Sequence, residues 1–180
     1  MNRFVITEPA SCIGCRTCEV ACTLAHQGTA EAVVRQDSFM PRLGVVFNKQ
    51  VTATVQCRHC EDAPCVNSCP TNALVYRKHT VQLVAERCIG CKTCVIACPI
   101  GAMSLVVKPV EKSTFDGLRV QSKQSLAHKC DLCIDADSGP ACVQACPTKA
   151  LHLMSSDSID DMLRHKRERA VIDPASGAAR

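Results

Sequence analysis

Sixteen cysteines in four groups of four constrain this 180-residue chain more than any other feature. The first group is Cys12, Cys15, Cys18 and Cys22, and the second is Cys57, Cys60, Cys65 and Cys69. The third is Cys88, Cys91, Cys94 and Cys98, and the fourth is Cys130, Cys133, Cys142 and Cys146. Proline follows the last cysteine in three groups, at Pro70, Pro99 and Pro147. Cysteines two residues apart on a tight loop point their thiolates at the irons of one cubane, and in the C-x2-C-x2-C-x3-C-P run the last cysteine ligates the other cluster of a pair. Four groups therefore predict two two-cluster ferredoxin units and four 4Fe-4S clusters, with no ligand missing and no cysteine spare.

Two other uses of cysteine compete. A disulfide framework needs an oxidising compartment, yet MNRFVITEPASC carries no charged-then-apolar signal segment. Structural zinc sites use two C-x2-C pairs separated by a longer loop, and would leave a surplus thiol in Cys12-Cys15-Cys18 and in Cys88-Cys91-Cys94. Rieske-like ligation by His26, His59, His79, His128, His152 or His165 finds no vacancy in the cysteine count, so these histidines are expected to be structural or on the surface.

Composition supports a metal-filled interior. Aromatic residues make up 3% of the chain, with no Trp and a single Tyr76. Such a chain cannot build a conventional aromatic core, so cluster binding becomes folding free energy and the apoprotein is expected to be largely unfolded. The formal charge of +4 counts thiols as neutral; four oxidised clusters bring roughly −8, leaving the loaded protein near about −4. The basic balance is thus no argument for nucleic acid, and no stacking aromatics or basic stripe support one. The longest apolar runs fall short of a membrane span.

The repeat extends past the cysteines, in CPTNAL from Cys69, CPIGAM from Cys98 and CPTKAL from Cys146. Each reads as loop, short helix, then strand: Val75–Tyr76 with Val81–Val84 after a turn, Ser104–Lys108, and His152–Met154. Phe4–Thr7 supplies an opening strand, and Leu43–Phe47 with Val51–Val55 form a hairpin around Asn48-Lys49-Gln50. Pro109–Ala127, with a turn signal at Asp116-Gly117, reads as an excursion without chemistry of its own. A capped helix is expected from Ser158, acidic early and basic late, with Ile159, Met162 and Leu163 as its buried stripe and its charged face solvated. The tail 173–180, rich in small residues, is expected to be mobile. The fold class is α+β: two pseudo-symmetric bacterial-type two-cluster ferredoxin units, with small β-hairpins and short helices around the clusters. Arg16, Lys92 and Lys129 lie in or beside ligand loops, where a positive charge would raise a cluster's potential; ordinary surface placement is the equal alternative.

The stretches MNRFV, CIGCRTCEVAC, MPRL, CRHCEDAPCVNSCP, ERCIGCKTCVIACPIGAM and KCDLCIDADSGPACVQACPTKAL resemble the four-cluster electron-transfer subunits of formate dehydrogenases and formate hydrogenlyase, including its small iron-sulfur subunit and the hydrogenase-associated paralogue. The resemblance runs from about Met1 to Met154. More distantly, the arrangement is similar to the iron-sulfur subunits of nitrate and dimethyl sulfoxide reductases and of tungsten aldehyde oxidoreductases.

That resemblance implies a nested pairing of groups. Cys12, Cys15 and Cys18 would share a cluster with Cys146, and Cys130, Cys133 and Cys142 would take Cys22. Cys88, Cys91 and Cys94 would take Cys69, while Cys57, Cys60 and Cys65 would take Cys98. The spacing itself leaves open a sequential pairing of groups one with two and three with four. Under nesting, residues 1–30 with 125–155 form an outer unit and 50–108 an inner unit, followed by the helix and tail of 156–180. Electrons would run from the Cys12 cluster to the Cys130, Cys88 and Cys57 clusters. Relatives with a replaced ligand carry a three-iron cluster, whereas all four groups here are complete.

The same resemblance implies a non-catalytic subunit relaying electrons between a molybdenum or tungsten pterin oxidoreductase, acting on formate or an aldehyde, and a hydrogenase or flavin subunit, in anaerobic metabolism. The chain lacks the C-terminal anchor of periplasmic formate dehydrogenase subunits and a twin-arginine leader, so a cytoplasmic location is expected, peripheral to a membrane complex only through partners. The alternative is a freestanding polyferredoxin carrier or an electron donor in maturation. Head-to-tail self-association is a further expectation, since a wire with clusters near both ends can stack.

Overall fold

A computed structural model describes residues 1–27, 36–113 and 119–172. The turn expected at Asp116-Gly117 and the tail 173–180 lie outside the described residues. The elements are short and mixed, and the strands pair into two-stranded antiparallel sheets. Strand β1 (Phe4–Thr7) is the expected opening strand. Helix α1 (Thr17–Ala25) follows it, then β2 (Leu43–Phe47) and β3 (Thr52–Gln56) form a hairpin. The side-chain oxygen of Asn48 accepts the N–H groups of Gln50 and Val51 at 2.7 and 2.9 Å, a local bond that sets this turn.

Helix α2 (Pro64–Asn67) begins on a proline whose missing N–H would have been unpaired there in any case. Strands β4 (Leu74–Arg77) and β5 (Thr80–Leu83) close on Lys78 and His79, both at positive φ, the backbone of a tight hairpin turn. Helix α3 (Thr93–Ala97) precedes β6 (Ser104–Ser113) and β7 (Arg119–His128). Last come α4 (Ala141–Gln144), β8 (Leu151–Met154) and α5 (Ser156–Ile172). Strand β8 returns to β1, with Phe4 opposite Met154 and Thr7 opposite Leu151, so the two ends of the cysteine array are stitched together. Helix α1 packs on α4, and α2 on α3.

Three expectations need correction. The strand expected over Ser104–Lys108 does not stop there: within the expected excursion, residues 109–113 and 119–127 belong to a ribbon of two ten-residue strands running from Ser104↔His128 to Ser113↔Arg119. Its polar residues hide the strand signal, and Pro109 is tolerated because both strands of such a ribbon are edges. The stripe Ile159, Met162 and Leu163 is not buried: α5 buries no residue, and Met162 and Leu163 are 38% and 39% exposed. The helix also starts at Ser156, not Ser158, since Ser155 caps it: Ser158 Oγ accepts Ser155 N–H at 2.7 Å and Ser155 Oγ accepts Ser158 N–H at 3.4 Å.

The interior is aliphatic and sulfurous. One buried cluster joins Ala63, Ala73, Leu74, Val81, Met103 and Ala127 to Cys65, Cys88 and Cys94. A second joins Val5, Leu43, Leu132 and Leu151 to Cys18, Cys22 and Cys142. Tyr76 and Phe47 stay about half exposed, so the aromatic poverty of the sequence is matched, among the described residues, by buried clusters that contain no Phe or Tyr.

Candidate metal centre

The third and fourth cysteines of every group are four residues apart: Cys18 and Cys22, Cys65 and Cys69, Cys94 and Cys98, Cys142 and Cys146. Each pair starts on a short helix: Cys18 and Cys22 share one face of α1, about a turn apart, whereas Cys69, Cys98 and Cys146 fall just past the ends of α2, α3 and α4. A helix in that position serves two neighbouring sites at once. The loops before the helices turn tightly at left-handed residues: Gly14 and Arg16 in the first group, His59 in the second, Gly90 and Lys92 in the third, Leu132 and Cys133 in the fourth.

The structure brings the sequence-predicted residues together in mixed sets. Cys12, Cys15, Cys18 and Cys146 line one small cavity, beneath Val45 and Thr54. Cys69, Cys88, Cys91 and Cys94 line another, with Leu83, Leu105 and Ala127. Cys57, Cys60, Cys65 and Cys98 line a third, with Val81 and Met103. Of the remaining four, Cys142 has its thiol pushed up to about 12 by burial, then by the nearby Cys130, Cys22 and Cys133. All sixteen thiols are free of disulfide bonds.

Hydrogen bonds aimed at sulfur repeat from site to site. Three residues after the last cysteine of groups two, three and four, Asn72, Gly101 and Lys149 adopt positive φ. This turn brings the next N–H back over the sulfur: Ala73 N–H donates to Cys69 Sγ at 3.3 Å and Ala150 N–H to Cys146 Sγ at 3.2 Å. For Cys69, burial pushes the thiol up, but the N–H groups of Ala73, Thr71 and Leu74 outweigh it and leave the pKa lowered. Thr17 and Thr93, in the matching C-R/K-T-C loops, donate their hydroxyls to Cys15 and Cys91 at 3.3 and 3.4 Å, and those bonds lower both thiols. Burial holds Cys18 and Cys65 up at about 11 and Cys130 at about 12. Thiols converging in sets, some buried and some at the surface, with N–H and O–H donors placed for thiolate acceptors, fit the sulfur ligation of an iron-sulfur cluster.

The expected positive charges divide. Arg16 and Lys92 are exposed, Arg16 stacking over the Phe47 ring at 5.4 Å, whereas Lys129 is buried. Spacing did not single out two histidines with site contacts. His26, one turn after Cys22 on α1, has Nδ1 3.9 Å from Cys22 Sγ and Nε2 3.1 Å from Asp131, which also pairs with Arg42. His59 is 1% exposed. The signal for His26 was available as a helical i, i+4 neighbour of Cys22, a candidate ligand. Asp131 and Arg42 lie far away in sequence and gave none. His79 and His152 are surface residues, His152 lying 3.8 Å from Glu8, and His165 pairs with Glu168 on α5 at 3.3 Å.

Among the described residues no helix is long and apolar enough to cross a membrane. The 4Fe-4S dicluster domain family matches residues 48–156, and a 4Fe-4S binding domain matches residues 9–28. The electron transport protein HydN of Escherichia coli K12 is 46% identical over 96% of this chain and 99% of its own. Hydrogenase-4 component A of that strain is 39% identical over 98% of this chain and 94% of its own. The putative oxidoreductase AegA, also of that strain, is 41% identical over 94% of this chain, a match spanning 24% of the larger protein. The chain belongs to the 4Fe-4S dicluster domain family and is a multi-cluster, ferredoxin-like electron-transfer subunit.

Proposed function

We propose that the chain is a four-cluster wire within a larger redox complex. The observation that carries this reading is the composition of the cavities: in three of them, three thiols of one group meet the last cysteine of another. On this reading the ligand sets are Cys12, Cys15, Cys18 and Cys146; Cys22, Cys130, Cys133 and Cys142; Cys69, Cys88, Cys91 and Cys94; and Cys57, Cys60, Cys65 and Cys98. Groups one and four form an outer ferredoxin unit closed by β1 and β8, and groups two and three an inner unit related to it by pseudo-symmetry. The clusters, when bound, supply single-electron transfer.

The chain's own residues bury the thiols, direct N–H and O–H donors at them, and fix the distance from one set to the next. Within each unit the i, i+4 helices connect neighbouring sets. Between units, Gln82 Nε2 donates to the carbonyl of Asp131 at 2.8 Å, and Lys129 donates to the carbonyl of Val81, which lines the Cys57 cavity. These contacts support an electron order of Cys12, Cys130, Cys57 and Cys88 sets, with the last two exchanged relative to the order implied by the resemblance.

The partner proposed at the Cys12 end is a molybdenum or tungsten pterin oxidoreductase of formate dehydrogenase or aldehyde oxidoreductase type. A hydrogenase or flavin subunit is proposed at the other end, with a cytoplasmic location for the complex as part of the same proposal. The name of hydrogenase-4 component A and the recurrence of such a unit as a quarter of AegA support a role inside larger redox assemblies. The end-to-end match to HydN, named simply an electron transport protein, supports the second reading of a freestanding carrier or maturation donor. Anaerobic affinity purification from the native host separates the two. Molybdenum or tungsten in a copurifying large subunit is the expected result, and an iron-loaded chain that comes down alone would replace the wire with the carrier.

A further inference from the structure

Lys129 is only 5% exposed. Its Nζ donates to the carbonyl of Val81 at 2.5 Å and to that of Cys130 at 2.6 Å. Val81 lines the cavity of Cys57, Cys60, Cys65 and Cys98, while Cys130 belongs with Cys22, Cys133 and Cys142. The ammonium therefore sits between a set of the inner unit and a set of the outer one.

No carboxylate among the described residues forms an ion pair with Lys129. The nearest candidate by sequence, Asp131, is committed to Arg42 and His26. The neighbouring His59 is bound to the same residue, its Nδ1 accepting the N–H of Val81 at 3.0 Å. A buried ammonium held only by carbonyls is costly unless negative charge of another kind faces it.

We propose that Lys129 is the shared counter-charge of two clusters, those of the Cys57 and Cys130 sets, and raises the potentials of both where electrons cross between the units. This rests on the four-cluster reading. Lys129 bonds the backbone carbonyl of Cys130 and no ligand sulfur, so it acts through its charge as a positioning and tuning residue with no bond to iron.

The test is an iron count followed by an EPR-monitored redox titration of the anaerobically purified full chain, as wild type, Lys129→Gln and Lys129→Arg. Glutamine keeps hydrogen-bond donors without the charge, and arginine keeps the charge. Expected is full iron in all three, two of the four midpoints displaced downward in Lys129→Gln, and their recovery in Lys129→Arg. Loss of iron in Lys129→Gln but not in Lys129→Arg would also support the charge role. Full iron with four unmoved midpoints, or with all four moving together, would overturn it and leave the four-cluster reading standing. Loss of iron in both variants would overturn it too, by reducing Lys129 to a structural tether. A wild type without iron would remove both.

Discussion

His26 and Asp131 lie 105 residues apart in sequence, yet the imidazole Nε2 is 3.1 Å from both carboxylate oxygens. Burial would push the Asp131 carboxyl up, but His26 and Arg42 hold it well below the usual range. Burial would lower His26, and Asp131, Cys133 and Cys22 raise it to about 12. The depressed carboxyl stabilises the fold above its ordinary pKa of about 4, and the raised imidazole does so below its ordinary value of about 6.5. The joint contribution is complete between those values and declines on either side. Asp131→Asn is expected to cost about 1–3 kcal/mol there. Chemical denaturation of the loaded protein at several pH values would reveal it as a wild-type advantage that narrows as pH rises above that window. A pH-independent difference would contradict the pairing.

Gly14 and Gly90 occupy matching places in the CIGC loops, at φ +68 and +69. A Cβ at Gly90 would lie 2.6 Å from the backbone oxygen of Ser125, whereas one at Gly14 would meet the Phe47 ring, a half-exposed side chain that can swing away. Both alanine variants carry the left-handed backbone cost of about 1 kcal/mol, and Gly90→Ala adds a clash with a fixed strand. Gly90→Ala should therefore melt lower and lose more iron than Gly14→Ala. Equal melting would show that β7 yields as easily as a side chain.

Thr17 and Thr93 donate hydroxyls to the thiols of Cys15 and Cys91, proposed ligands, and hydrogen bonds to cluster sulfur are among the terms that set potential. Thr17→Val and Thr93→Val should each lower one midpoint, a different one in each variant, with iron content unchanged. Redox titration followed by EPR reads both, and an unmoved set of midpoints would show that the hydroxyls serve water and not sulfur.

The sequence made the four cysteine groups legible because ligand spacing is local: three thiols of each loop and the i, i+4 step to the fourth are fixed within a few residues. Strands β1 and β4 and the β2–β3 hairpin were legible for the same reason, as short apolar runs bounded by turn residues. The ribbon β6–β7 was not, since a strand pair with polar residues on both faces has no alternation to read. Nor were His26–Asp131 and Lys129–Val81, because contacts between distant segments are products of the fold. The stripe on α5 misled for the opposite reason: helical periodicity marks a face that can be buried, without supplying anything to bury it.

Because α5 buries no residue and ends the described chain, ending the protein after Ser155 should leave cluster content intact and change stability by no more than about 0.5 kcal/mol. Thermal melting of the loaded protein with an iron count checks this. A drop of several degrees would mean that α5 packs on the body in solution.

The most direct test of the account is iron and acid-labile sulfide per chain in anaerobically purified protein. The proposed four-cluster reading, with three four-thiol cavities and four cysteines remaining, predicts about sixteen of each, with no zinc. Zinc without iron would contradict the cluster reading, and about eight irons would mean that two of the four sets are not cluster sites.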